Sequence, residues 1–211
     1  MQSTTVNAKT ESNTFCLPDD LLYISQRAWV RWLQGLFSQR EVSNRRWDPN
    51  PTETEIIISS AHPTETEETN KRPIIVVGRG NAQWSGVGRD QTLTRTLSGD
   101  QKRLSDIIHT SAIISCIARE GVEAQELAYI VSRMVPVFKA DIQRIGHIHF
   151  ISNNTMLEPE TNHGSVVNGS GVPEWRMVRV VIPYAVQEEI KVDKDFHNIL
   201  HAVRLQMDLT D

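Results

Sequence analysis

The stretch from Leu104 to Phe138, LSDIIHTSAIISCIAREGVEAQELAYIVSRMVPVF, constrains the fold more than any other part of the chain. From Leu104 to Arg119 apolar and small polar residues mix over more than a dozen positions, which predicts a strand. A strand this long runs past the edge of its own core. Gly121 then breaks the chain, and Leu127, Val131, Met134 and Phe138 recur at helical spacing, with Glu120, Glu123 and Glu126 beside the positive helix end. Pro136 inside this helix removes one amide donor, and a kink is expected before KADIQRI.

The other elements follow from the same periodicities. PDDLLYISQRAWVRWLQGLFSQR opens with Pro18 and two Asp residues and places Leu21, Ala28, Trp32 and Leu36 near one helical face. Leu22, Trp29 and Leu33 widen that face, which predicts cover on more than one side, and a neighbouring subunit is a candidate to supply it. TETEIIISS, PIIVV, GHIHFIS and EWRMVRVVIPYAV read as strands. In the tail, Val203, Leu205, Met207 and Leu209 alternate as in a strand, while Phe196, Leu200, Val203 and Met207 also fit a helix. The expected fold is α+β: a mostly antiparallel sheet of about four to six strands packed with two helices. Residues 1–16 are too polar to offset their own ordering entropy and are expected as a flexible arm. Residues 17–211 then form one domain with a long Gly-rich loop at about 78–103.

Charge narrows the function. Lys and Arg number 22 against 26 Asp and Glu, a formal charge of −4, which argues against a chain whose main task is coating nucleic acid. Cys16 and Cys116 form no CxxC and no Cys/His cluster, so neither a disulfide framework nor a zinc site is indicated. No run approaches the length of a membrane span, and the first residues have no apolar signal core.

VVGRGNAQWSGVGRD carries four glycines after an apolar run, as a phosphate-binding loop would. It lacks the Lys and Ser or Thr of a P-loop, and Gln83 stands where GxGxxG needs its third glycine. An extended loop is expected instead, on which Trp84 is either a contact anchor or folded back onto the core. Arg79 and Arg89 flank it and suit salt links to another chain. Trp29 and Trp32 on the wide helix face complete the expected contact set. His147 and His149 are two apart on an expected strand and so share a face, and His197 and His201 have helical spacing, but no carboxylate motif accompanies them. No catalytic residue, metal site or cofactor is assigned, and the chain is not expected to be an enzyme.

The order of these parts resembles the neck and tail-completion proteins of tailed bacteriophages, which include head-tail connectors and tail terminators. The resemblance rests on RWLQGLF in the leading helix, the RPIIVV strand with its polar excursion, IIHTSAIISCIAREGVEAQELAYIVSRMV, and the late strand around EWRMVRVVIPY. It implies a structural virion protein that is assembled in the host bacterial cytoplasm. It also implies a homo-oligomeric ring, commonly six- or twelvefold, beside neck, portal-adaptor or tail-tube proteins. DNA would pass through such a ring with only transient, non-specific contact, which an acidic subunit suits. The alternatives left by the residues are a small metal-dependent hydrolase or nuclease using His147 and His149, or a monomeric protein-binding module.

Overall fold

The computed structural model describes residues 18–60, 72–86, 94–95, 101–163 and 175–193. Side chains are described for these except at 18–20, 86, 94–95, 101–106, 163 and 188–193. The expected arm, Arg89, His197, His201 and the C-terminal tail lie outside the described residues.

The chain forms α1 (Pro18–Phe37), β1 (Ile57–Ser59), β2 (Ile74–Arg79), β3 (Gln83–Gly86), β4 (Thr94–Arg95) and β5 (Gln101–Ala118). After these come α2 (Gly121–Gly146), β6 (Ile148–Ile151), β7 (Met156–Leu157), β8 (Thr161–His163) and β9 (Trp175–Asp193). This is the α+β class expected from the sequence. Among the described residues only β1 and β2 pair in parallel; the other pairings are antiparallel.

β5 and β9 are the spine, paired continuously from Gln101↔Asp193 to Ala118↔Arg176. Short strands lie end to end along both outer edges of that ribbon. β2, β3 and β4 follow one another along β5, with β1 outside β2, while β6, β7 and β8 do the same along β9. Nine strands therefore occupy five lanes. The Gly-rich excursion is not wholly a loop, because Gly78 and Arg79 belong to β2, and β3 and β4 return to pair with β5.

Alternation along the spine decides where the core sits. Ile108, Ala112, Ile114, Cys116 and Ala118 of β5, with Val178, Val180, Ile182, Tyr184 and Val186 of β9, face both helices in one buried cluster. Val76, Ile117, Trp175 and Met177 form a smaller cluster on the opposite face.

α1 touches β1, β2 and β9, whereas α2 touches β5, β6 and β9, so the helices lie side by side on one face. Gln26 Nε2 donates to Val77 O at 2.7 Å and Gln34 Nε2 to Ile58 O at 3.3 Å, fixing α1 over the β1–β2 side. The wide apolar face of α1 is covered from within the chain, by the sheet and by α2. Trp29 is fully buried, Trp32 is 7% exposed, and their rings meet edge to face at 5.8 Å. Both tryptophans fill the space beneath the helix and offer no surface to a neighbour, which corrects their expected place at a contact. Gly146 lets the helices close, because a Cβ there would lie 3.0 Å from Ala28 Cβ and 3.0 Å from Ile148 Cδ1. α2 is continuous from Gly121 to Gly146 through Pro136.

Candidate contact surfaces

The described part of the Gly-rich stretch passes from strand to strand, so its glycines are not followed by the helix N-terminus that a phosphate cradle requires. Trp84 lies directly across β3–β5 from Ile108, on the helix-bearing face at the margin of the core, and is 52% exposed. About half of the indole therefore faces outward. Its neighbour in sequence, Ser85, meets His109 at 3.0 Å on the other face.

Arg79 ends β2 on the same face as Trp84 and is exposed. Its charge reaches Tyr184, whose hydroxyl is 2.8 Å from Ser25 Oγ of α1. Burial pushes the Tyr184 phenol up from its usual range; the Ser25 hydrogen bond and the Arg79 guanidinium partly oppose this. Tyr23 and Arg27 stand on the outward side of α1 near Gln26, with the Arg27 guanidinium 5.7 Å from the Tyr23 ring centre. One flank of the domain thus carries Tyr23, Arg27, Arg79 and Trp84.

The histidine pair does not form. His147 is the C-cap of α2 in the left-handed conformation, φ 52°, its amide bonded to Gln143 O, and only His149 belongs to β6. The strand face that would have presented both imidazoles begins one residue too late. Among the described residues no group of three or more His, Cys, Asp or Glu side chains is placed to hold a metal ion. Cys116 is buried against the helices, and burial pushes its thiol up to about 12, so it is an inert core residue.

A second surface was not singled out from sequence. Val122, Glu126, Tyr129, Arg133 and Val137 follow one another along the outward stripe of α2, and Val122, Tyr129 and Val137 are 67%, 55% and 69% exposed. Arg133 holds Tyr129 in place, donating to its hydroxyl at 2.8 Å with the guanidinium 5.4 Å from the ring centre. The first half of this stripe is a ridge between two grooves. One, of about 490 Å³, separates α2 from the β7–β8 edge and is lined by Val122, Tyr129, Leu157, Pro159 and Val178 with Glu126, Glu158 and Glu160 at its rim. The other, of about 710 Å³, lies between α2 and the turn at residues 40–45. The signal was present in the sequence, as apolar residues off the main face of α2, but the strong Leu127–Val131 periodicity masked it.

Carboxylates line both grooves beside α2. On the α2 side, Glu123 pairs with Arg45 at 2.8 Å, Glu158 with Arg179 at 3.6 Å and Glu160 with Arg176 at 3.6 Å. Glu41, Glu120 and Glu126 have no side-chain partner among the described residues. On α1 and at the end of β2, Arg27, Arg31 and Arg79 are exposed.

No protein-family model matches the chain, and no curated protein matches it. No helix among the described residues is long and apolar enough to cross a membrane. The assignment of a function therefore rests on the geometry and on the resemblance.

Proposed function

We propose that this chain is a structural subunit of a tailed-phage virion, forming an oligomeric ring in the neck or at the tail end through which DNA passes. The observation that carries this reading is the length of the β5–β9 ribbon. Ile108↔Val186 is the last rung toward that end at which both described side chains are buried, and the ladder continues from Ile107↔Gln187 to Gln101↔Asp193. Seven residues of each strand, roughly 24 Å, extend beyond that rung. Among the described residues only β3 and β4 accompany this extension, and only along β5. A ribbon this much longer than an ordinary strand gives a subunit an arm with which to reach a neighbour. The exposed apolar ridge on α2 and the exposed Trp84 add surfaces of the kind that interfaces bury.

Negative-stain imaging of the purified full chain, with its mass under native conditions, tests the reading. Closed rings of six or twelve copies are expected. A monomer at every concentration, with hydrolytic activity lost in His149→Ala, would contradict it in favour of an enzyme. A monomer that captures a single protein partner would favour a binding module.

A further inference from the structure

The two flanks of the helical layer match at two points, an exposed indole against an apolar groove and a cation against a carboxylate, and they lie on opposite sides of the domain. Trp84 and Arg79 belong to the lane along β5, while Leu157 and Glu158 belong to, or follow directly on, the lane along β9. Three inter-strand steps, about 14 Å of sheet, separate the lanes. One flank presents exposed aromatic rings beside unpaired arginine; the other presents an apolar groove rimmed by the unpaired Glu126.

We infer that two copies of this chain join head to tail, with Trp84 of one copy seated in the groove between α2 and β7 of the next. Trp84 packs there against Val122, Tyr129 and Leu157, and Arg79 faces Glu126 at the rim. The inference rests on the ring reading above and specifies its contact. The occupant is a second copy because the chain itself carries the matching surface: a half-exposed indole for an apolar groove, and a cation for an unpaired carboxylate. Tyr129 is held by Arg133, so the groove wall is ordered before docking and less side-chain freedom is lost on contact. Because the joined patches are different and lie on opposite flanks, each added copy leaves one of each kind free. Such a heterologous contact closes only as a ring; otherwise it continues as a filament.

The test uses the full chain as wild type and as Trp84→Ala, Leu157→Asp, Arg79→Glu, Glu126→Arg and the Arg79→Glu/Glu126→Arg pair, followed by sedimentation over a range of concentration and salt. Trp84→Ala and Leu157→Asp should each weaken association about thirtyfold or more. Mixed together they should form a one-to-one pair and stop there, since the Trp84 of one variant meets the intact groove of the other. The single charge reversals should weaken association, the double reversal should recover it, and added salt should reduce the difference. If the wild type forms rings but none of these variants alters them, the docking is overturned while the ring reading stands. Absence of a one-to-one pair in the mixture likewise overturns the docking. A wild-type chain that stays monomeric throughout overturns both.

Discussion

The two helices begin with similar credentials and end with different duties. α1, 20 residues long, shows the wider apolar face in sequence and is the one expected to need a neighbour's cover. In the fold its own chain covers it: Leu22, Trp29, Leu33, Leu36 and Phe37 are all buried against the sheet and α2. α2, 26 residues long, has a regular and apparently sufficient stripe, yet Val122, Tyr129, Val137 and Ile145 remain exposed. A wide apolar face therefore measures how many layers touch a helix, whereas apolar residues off the main face mark what the chain leaves uncovered.

Trp29→Ala removes a fully buried ring and should lower folding stability by about 3–5 kcal/mol, while Tyr129→Ala on the outward stripe should cost less than about 1 kcal/mol. Chemical denaturation of both variants checks this; equal losses would erase the distinction between the helices.

The glycines sharpen it further. An added Cβ at Gly146 meets Ala28 and Ile148 at 3.0 Å, so Gly146→Ala should destabilise by about 1–3 kcal/mol. Gly35 of α1 has nothing within 4 Å of such a Cβ, and Gly35→Ala should stabilise by about 0.5–1 kcal/mol through helix propensity. Thermal melts that shift in the same direction for both would contradict the close approach of α2 to α1.

Alkaline titration reports on the buried face beneath the helices. Cys116 and Tyr184 both lose their protons in the unfolded chain before the folded one, since burial raises them from 9.0 and 10.0 respectively. The Cys116 contribution is thus full below about pH 9 and falls as pH rises toward about 12, by at most about 1.4 kcal/mol per pH unit, and that of Tyr184 falls in the same direction above about pH 10. Cys116→Ala should delay the onset of this loss. Unchanged alkaline stability in that variant would place the thiol outside the core.

Much of the architecture was legible because it rests on local periodicity. The 18-residue β5, the α2 stripe through Leu127 and Val131, and β9 from Trp175 all follow from the spacing of apolar side chains. β7 and β8 were not legible: at two and three residues they have no pattern of their own and exist because β9 offers them an edge. β3 and β4 were hidden for the same reason, inside a stretch whose glycines suggested a loop. The site was harder still. Nothing in GHIHFIS marks His147 as the cap of α2, a role set by its φ of 52°. Trp29, Trp32 and Trp84 are chemically alike, and only the packing of α1 on the sheet separates two core rings from one exposed ring.

The most direct test of the account is a paired measurement on Trp84→Ala: the unfolding free energy of the chain and the concentration dependence of its mass. The account predicts a folding change within about 0.5 kcal/mol together with an association loss of about 2 kcal/mol or more. A large loss of folding stability with unchanged association would contradict it, returning Trp84 to the core and leaving the α2 groove without its occupant.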